Sequence, residues 1–309
     1  WRINCAPNNI AIFAAKPGWR KRSRVATELP LVSKELYASK TGEETVKVVL
    51  FCGGFGMRMR EYSEALPKPM VPIGYRPILW HIMKYYAHYG HKDFILCLGY
   101  KADVIKKYFL EYDECVSNDF VLSSGGKNVE LLSSDIDDWN ITFVDTGLTS
   151  NVGQRLKAVR RQLEGEEMFL ANYTDGLSDV PLPAVIESFK DSDNVACFVG
   201  VKPRASFHLI TMESGGVVTS IEHIAKSGMR MNGGFMVLRP EIFSYIKDSE
   251  ELVEEPFRRL IGAGRLMVYP HDGYWACMDT FKEKQDLEDV FGRGSAPWAV
   301  WNHQHEIKK

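Results

Sequence analysis

The sequence lacks the patterns that mark several large classes of protein. No apolar run approaches the roughly 18 residues that a membrane-spanning helix needs, so no membrane partner is predicted. The formal net charge of the 309 residues is only −2, which does not favour a nucleic-acid partner. The six cysteines form no CxxC pair and no spacing typical of a zinc site, so we expect free thiols and a reducing compartment, the cytoplasm.

Acidic residues are also missing from the start of the chain, where none precedes Glu28. A basic cluster lies between Arg20 and Arg24, and a regular pattern begins only at Val46. We therefore expect residues 1–45 to be a leader that is disordered or not native. An organellar transit peptide, which is also basic and poor in acidic residues, is the alternative. Residues 46–301 are predicted to form the folded domain, and residues 302–309 a C-terminal tail.

Two residue patterns alternate from Val46 onward and set the fold class. Short β-rich runs are predicted to be strands at residues 46–51, 93–98, 140–144, 168–172 and 195–201. The helices predicted between them cover residues 77–89, 103–112, 152–163 and 181–190. Asp103 is expected to cap the second of these helices, and Asp179 to lie at the entry of the fourth. Such alternation is typical of an α/β protein with a Rossmann-like, mostly parallel mixed sheet covered by helices.

The pattern changes after Lys202, where strands dominate. A β-hairpin is predicted from residues 207–212 and 217–222, which flank a Ser-Gly-Gly turn. Further strands are predicted at residues 235–238, 266–270 and 274–278, and a last helix at residues 280–293. This part is interpreted as a smaller β-rich extension of the sheet. Because ligands of parallel sheets bind at the carboxyl ends of the strands, we expect the loops at residues 53–68, 99–101 and 174–179 to face one site.

The first of these loops opens with a glycine-rich turn directly after a strand. Gly53, Gly54 and Gly56 would let backbone N–H groups approach phosphate oxygens, and Arg58 supplies a fixed positive charge for a polyphosphate. The turn is not a Walker loop, since it lacks the Gly-Lys-Ser/Thr element, and its spacing does not match the GxGxxG dinucleotide fingerprint. An ordinary strand-to-loop turn remains the alternative.

The same loop ends at a lysine between two prolines, in Pro67-Lys68-Pro69. Each proline ring fixes its own φ and restricts the residue before it, so the backbone of Lys68 has little freedom. The ammonium of Lys68 is therefore expected at a defined place near the glycine turn. The alternative for Lys68 alone is a solvated lysine in a rigid loop.

Together these residues resemble a family signature. Gly53-Gly54-x-Gly56-x-Arg58 followed by Lys68-Pro69-Met70 is similar to the N-terminal motif of sugar-1-phosphate nucleotidyltransferases, with the glucose-1-phosphate cytidylyltransferase branch nearest. Similar stretches at residues 77–84, 97–101, 144–147 and 296–298 extend the resemblance over residues 46–301.

The resemblance implies a reaction and its partners. A nucleotidyl group would pass from a nucleoside triphosphate, with CTP expected, to a sugar-1-phosphate, with glucose-1-phosphate expected, releasing pyrophosphate. The alternatives are another base or sugar, or a weakly active paralogue that binds a nucleotide-sugar and regulates a partner. We also expect a homo-oligomer.

The resemblance also implies roles for single residues. Arg58 and Lys68 would be catalytic, and Asp175 and Asp279 would bind Mg²⁺. The residues implied in nucleotide binding are Gly53, Gly54, Gly56, Gly99, Tyr100, Ser150 and Arg155. Those implied in sugar binding are Glu222, Asn232 and Gly233.

Two of these assignments have competing interpretations, and two positions depart from the family. Asp279 is also a good N-cap for the last helix, with Glu283 on its first turn, and an N-cap would compete with a metal for the same oxygens. Arg155 could be a solvated residue on the first turn of a helix. Met57 stands where the family usually has Thr, and His223 where the family has a Lys that grips the sugar phosphate.

Overall fold

The computed structural model describes residues 45–54, 66–204 and 207–302. Most of the predicted leader and tail, together with Gly56, Met57 and Arg58, lies outside the described residues. In chain order the strands are β1 (Val48–Phe51), β2 (Pro72–Ile73), β3 (Arg76–Pro77), β4 (Asp93–Leu98), β5 (Phe120–Ser123), β6 (Asn128–Leu131), β7 (Asn140–Asp145), β8 (Phe169–Tyr173), β9 (Gly176–Ser178), β10 (Ala196–Val201), β11 (His208–Met212), β12 (Val218–His223), β13 (Met231–Asn232), β14 (Met236–Leu238), β15 (Leu266–His271) and β16 (Trp275–Cys277).

The described residues also form seven α-helices. They are α1 (Ile78–His88), α2 (Ala102–Leu110), α3 (Val152–Ala158), α4 (Leu182–Lys190), α5 (Ile242–Tyr245), α6 (Glu255–Gly262) and α7 (Phe281–Gly292). Short 3-10 turns cover Lys68–Met70, Glu114–Val116, Arg160–Leu163 and Ile224–Lys226. The described helices include none that is long and apolar enough to span a membrane.

Eight strands form the main sheet, in the order β13-β10-β14-β8-β1-β4-β7, with β15 also paired to β10. Strands β8, β1, β4 and β7 run parallel, and β14 joins β8 in the antiparallel sense. The sheet is therefore mostly parallel and mixed, which confirms the predicted Rossmann-like α/β class. Strands β13, β14 and β15, which follow Lys202, pair with β10 or β8 and continue this sheet, as expected for the extension after Lys202.

Helices cover both faces of the sheet. Along β1, Val48 and Leu50 pack into one core with helices α1 and α4, whereas Val49 and Phe51 pack into a second core with α3, α5 and α6. Side chains of a strand alternate between its two faces, so a strand buried on both sides is apolar at every position. This burial explains the continuous apolar runs in the sequence.

The boundaries of two helices differ from the prediction. The predicted cap of α2 at Asp103 is wrong, because the N-cap is Lys101, in the left-handed region at φ 50°, and Asp103 lies in the first turn. The helix predicted at residues 152–163 is α-helical only to Ala158 and continues as the 3-10 turn Arg160–Leu163.

Two hairpins project apolar side chains to solvent. The β11–β12 hairpin confirms the prediction around the Ser-Gly-Gly turn. The β5–β6 hairpin was not predicted, and all of its strand residues are exposed. Its exposed apolar side chains include Leu122 and Val129, and those of β11–β12 include Ile210 and Ile221.

Candidate active site

A cavity of about 680 Å³ opens where β1 and β8 end, at the carboxyl edge of the parallel strands. Ligands of such sheets bind at this edge. The predicted site residues that line the cavity are Gly53, Gly54, Lys68, Ser150, Arg155, Asp175, Asn232, Gly233 and Asp279. Residues far apart in the sequence thus meet at one surface.

Lys68 lies between the two predicted metal ligands. Its Nζ atom is 2.7 Å from Oδ2 of Asp175 and 2.5 Å from Oδ1 of Asp279. The side chain is only 15% exposed, and its backbone opens the 3-10 turn in which Met70 N–H donates to the Pro67 carbonyl. The two carboxylates therefore converge on one positive charge.

Neighbouring charges and burial shift the pKa of Lys68 in opposite directions. Burial by itself would lower the pKa of the ammonium, but the carboxylates of Asp175 and Asp279 outweigh burial and raise the net pKa above its ordinary value. Lys68 therefore stays protonated at neutral pH and keeps the charge that a phosphate contact needs.

A two-stranded ribbon sets the spacing of the two aspartates. Asp175 directly precedes β9, and Asp279 follows β16 after one intervening residue, Met278. The strands are antiparallel, with Gly176 opposite Cys277. Met278 N–H also donates to the Asp175 carbonyl at 2.8 Å, which extends the pairing beyond the strands. Because the ribbon is closed beside the aspartates, their backbones stay adjacent although 104 residues separate them in the sequence.

The interpretation of Asp279 as the N-cap of the last helix is wrong. Thr280 caps α7, and its side chain accepts from Glu283 N–H at 3.2 Å. Glu283 in turn accepts from Thr280 N–H, which completes a capping box. The carboxylate of Asp279 is thus released from capping and meets Lys68 instead.

Asp179 anchors the other end of the ribbon rather than the entry of α4. Its Oδ1 atom accepts from Tyr274 N–H at 2.7 Å and lies 2.8 Å from His271 Nε2. The N-cap of α4 is Pro181, with no side-chain cap. The predicted helix-entry role of Asp179 is therefore wrong, because its long-range partners in the second half of the chain hold its carboxylate.

Arg155 is buried, so its interpretation as a solvated helix residue is wrong. The side chain is 4% exposed, and its guanidinium donates to backbone carbonyls of Gly53 at 2.9 Å, Leu98 at 3.1 Å and Gly147 at 2.9 Å, and to Thr146 Oγ1 at 2.8 Å. These acceptors follow β1, end β4 and follow β7. A Cβ atom on Gly53 would lie 2.0 Å from Arg155 Nη1, so a larger residue there would displace the guanidinium from these hydrogen bonds.

The remaining predicted site residues lie either outside the described cavity lining or outside the described residues. Gly99 and Tyr100 lie beside the glycine turn, where Tyr100 N–H donates to the Gly53 carbonyl at 3.4 Å, but they are not part of the described cavity lining. Glu222 is exposed on β12 and is also outside that lining. Gly56 and Arg58 lie outside the described residues, so their roles stay predictions.

Sequence reasoning missed several residues of the cavity wall. Asn172, Glu251 and Trp275 line it, and the Trp275 indole donates to the Gly233 carbonyl at 2.9 Å. Asn172 ends its run just before the recognised Asp175, so its place at a strand end was a usable signal. Glu251 lies in an irregular segment with no motif, and only the tertiary fold brings it to the cavity.

Cys277 also lines the cavity, close to the carboxylates. Burial, and then the charges of Glu283, Asp279 and Asp175, raise its pKa to about 12. The thiol therefore stays protonated at neutral pH. A protonated thiol is a poor nucleophile.

Comparisons with known proteins identify the family of this chain. The glucose-1-phosphate cytidylyltransferase of Salmonella typhi is 39% identical over 257 residues, covering 83% of this chain and all of that relative. The probable glucose-1-phosphate cytidylyltransferase of Bacillus subtilis is 39% identical over 259 residues, with the same shares. The crystal structure of HddC from Yersinia pseudotuberculosis has a TM-score of 0.58 at 21% identity, covers 80% of this chain and all of HddC, and shows the fold alone. Residues 47–280 match the nucleotidyl transferase family, to which this chain belongs.

Proposed function

We propose that the protein transfers a cytidylyl group from CTP to glucose-1-phosphate, forming CDP-glucose and releasing pyrophosphate. The observation that carries this proposal is the convergence of Lys68, Asp175 and Asp279 in the cavity at the strand ends. The substrate pair rests on the two similar cytidylyltransferases. Another base or another sugar-1-phosphate is the alternative within the same reaction.

The proposed step is an in-line displacement. A phosphate oxygen of the sugar-1-phosphate attacks the α-phosphorus of the triphosphate and forms a new P–O bond. The bond between the α-phosphorus and the bridging oxygen breaks, and pyrophosphate leaves with that electron pair. Two anions must approach each other, so positioning and charge neutralisation supply the catalysis. In this step Lys68 neutralises charge between the two phosphates, and Arg58 holds the β- and γ-phosphates.

The donor set fits Mg²⁺. Magnesium is bound in proteins by one or two carboxylates, with substrate phosphates and water completing the shell. Asp175 and Asp279 direct one oxygen each at a single cationic atom, Lys68 Nζ, which marks where a cation is stabilised. The described residues contain no group of three or more His, Cys, Asp or Glu that could hold a metal by itself. When bound by the two aspartates, the metal would act as a Lewis acid towards the α-phosphate.

The other cavity residues position substrate. Arg155 fixes the carbonyls that end three parallel strands, so in this proposal it shapes the nucleotide side of the cavity, together with Gly53, Gly54 and Ser150. Asn232 and Gly233 would face the sugar. Gly99, Tyr100 and Glu222 keep their proposed nucleotide and sugar roles although they lie outside the described lining.

The proposal is tested by product formation. The purified protein is incubated with CTP, glucose-1-phosphate and Mg²⁺, and pyrophosphate release is followed while chromatography identifies CDP-glucose. We expect both products in equal amounts, and none after EDTA is added. Tight binding of nucleotide-sugar without pyrophosphate release would instead support the regulatory paralogue.

We further propose that the enzyme acts in the cytoplasm and self-associates. The described cysteines, Cys52, Cys97, Cys115, Cys197 and Cys277, are all unpaired, which fits a reducing compartment. The exposed apolar side chains of the β5–β6 and β11–β12 hairpins support burial against a second copy of the chain. Light scattering after gel filtration tests this, and a mass of one chain would contradict it.

A further inference from the structure

The glutamate in the capping box of α7 accepts from more backbone N–H groups than the usual motif does. In the usual motif the glutamate accepts from the N-cap N–H alone. Here Glu283 Oε2 accepts from the N–H of Thr280 at 2.8 Å, from its Oγ1 at 3.0 Å, and also from the N–H of Asp279 at 2.8 Å. One carboxylate oxygen therefore binds two successive amides, and the first belongs to a proposed metal ligand.

Asp279 lies between a strand and a helix, so the hydrogen bonds of neither element fix its backbone orientation. It follows the ribbon strand β16 and precedes the cap of α7. The ribbon side is fixed, because Met278 N–H donates to the Asp175 carbonyl at 2.8 Å. On the other side the backbone of Asp279 is held by Glu283. The second oxygen of Glu283 lies 3.7 Å from Cys277 Sγ, so this side chain touches the ribbon as well as the cap.

The orientation of the Asp279 side chain decides whether its carboxylate and that of Asp175 lie close together. Its Oδ1 atom and Asp175 Oδ2 both lie within 2.7 Å of Lys68 Nζ. A small rotation of the Asp279 backbone would carry its carboxylate away from this point, since the side chain has only one carbon between the backbone and the carboxyl group. Partners that hold a ligating carboxylate typically change metal affinity 10- to 100-fold when removed.

We infer that Glu283 is a positioning residue for the divalent cation: it fixes the backbone of Asp279 so that the Asp279 and Asp175 carboxylates meet at one point. Glu283 itself contacts neither substrate nor metal. The inference rests on the proposed function, because it deepens the metal site of that reaction. The simpler role for Glu283 is stability alone, since a negative charge at a helix N-terminus is favourable.

Mn²⁺ binding to the substrate-free protein separates the two roles, with free Mn²⁺ measured by electron paramagnetic resonance. Glu283→Ala is expected to weaken Mn²⁺ affinity about 10-fold or more. Glu283→Gln retains a carbonyl acceptor for both amides and is expected to restore affinity to within about threefold of wild type. Thr280→Val is the matched control, because it removes the cap hydroxyl but leaves Glu283 bound to Asp279. It should lower the urea midpoint while changing Mn²⁺ affinity less than about twofold.

Equal loss of affinity in Glu283→Ala and Thr280→Val would overturn the inference, because the effect would then follow helix stability. Unchanged affinity in Glu283→Ala would overturn it as well. If Glu283→Ala does not fold, Glu283→Asp carries the same expectation, since it keeps the charge but is one methylene too short to reach both amides.

The outcomes also separate this inference from the proposed function. Wild-type protein that releases pyrophosphate, combined with full Mn²⁺ affinity in Glu283→Ala, would reject only the positioning role. Selective loss of Mn²⁺ affinity in Glu283→Ala, in a protein that makes no pyrophosphate from any substrate pair, would support the positioning role and reject the proposed reaction. Wild-type protein that binds no Mn²⁺ would reject the metal site and the positioning role together.

Discussion

The two regions that would meet the substrates differ in how they are held. On the cavity wall, Lys68, Asp175 and Asp279 are joined to one another, and Arg155 joins the ends of three strands. The β11–β12 hairpin, which carries Glu222, is exposed along almost its whole length. Groups that must meet a reacting phosphate need fixed geometry. In the proposed function the reaction depends on the held side chains of the cavity wall, whereas sugar choice would depend on a segment that this chain leaves in solvent.

The largest expected effect comes from removing the ammonium of Lys68 from the cavity wall. Lys68→Ala should lower kcat about 100- to 1,000-fold, about 3 to 4 kcal/mol in the barrier, because a charged contact to the reacting phosphates is lost. Steady-state pyrophosphate release measures this. Lys47→Ala is the control, since Lys47 pairs with Glu166 at the opposite end of β1 and should keep normal turnover. Near-normal turnover in Lys68→Ala would reject the assigned role.

A smaller effect is expected when Arg155, which joins the ends of three strands, is replaced. Arg155→Met removes the guanidinium that joins the carbonyls of Gly53, Leu98 and Gly147, and it should lower the free energy of unfolding by about 2 to 3 kcal/mol. The KM for the triphosphate should also rise roughly 10-fold, because the glycine turn loses its support. Urea unfolding and initial rates measure the two effects. Arg161→Met, an exposed arginine in the following 3-10 turn, should change neither, and equal effects in both variants would contradict the bracing role.

Acid should lower the free energy of unfolding, because two buried histidines are neutral in the folded protein. Burial lowers the pKa of His81 and of His91 to about 4, from an ordinary value near 6.5. His91 Nδ1 accepts from Val46 N–H, as a neutral ring does. As the pH falls below 6.5 the unfolded chain takes up protons first, so stability is lost between pH 6.5 and 4. At pH 5 the loss should be about 2 kcal/mol per histidine. Equal urea midpoints at pH 7.5 and 5.0 would contradict this prediction.

The smallest expected effect lies on the exposed hairpin. His223→Lys restores the residue that the resemblance places against the sugar phosphate, and it should lower the KM for the sugar-1-phosphate about three- to tenfold with kcat nearly unchanged. His208→Lys is the matched control, because His208 lies opposite His223 on the neighbouring strand. The same change in KM for both variants would show a general effect of charge on the hairpin.

Local sequence predicted part of this site well. The sheet followed from apolar runs because its strands are buried on both faces. The flanking prolines predicted a restricted backbone at Lys68, which opens a 3-10 turn. Sequence alone favoured Asp279 as the cap of α7, but the adjacent Thr280 is also a good cap and holds that role. The fold separates their roles, because Thr280 Oγ1 accepts from Glu283 N–H whereas Asp279 contacts Lys68, 211 residues away.

Other features depended on partners that no local pattern reveals. Arg155 looks like a surface residue in its helix, yet its guanidinium reaches Gly53, 102 residues away. Asp179 pairs with His271 across 92 residues. The β5–β6 hairpin was not predicted, because β5, Phe-Val-Leu-Ser, has no alternation of apolar and polar residues and only the four residues of β6, Asn-Val-Glu-Leu, alternate.

The measurement that tests the central claim most directly is pyrophosphate release from a matrix of CTP, UTP, GTP and dTTP against several sugar-1-phosphates. The account predicts Mg²⁺-dependent release with the highest kcat/KM for CTP and glucose-1-phosphate. Faster turnover of another pair would keep the reaction and change its substrates. No pyrophosphate from any pair, with folded protein and Mg²⁺ present, would contradict the account.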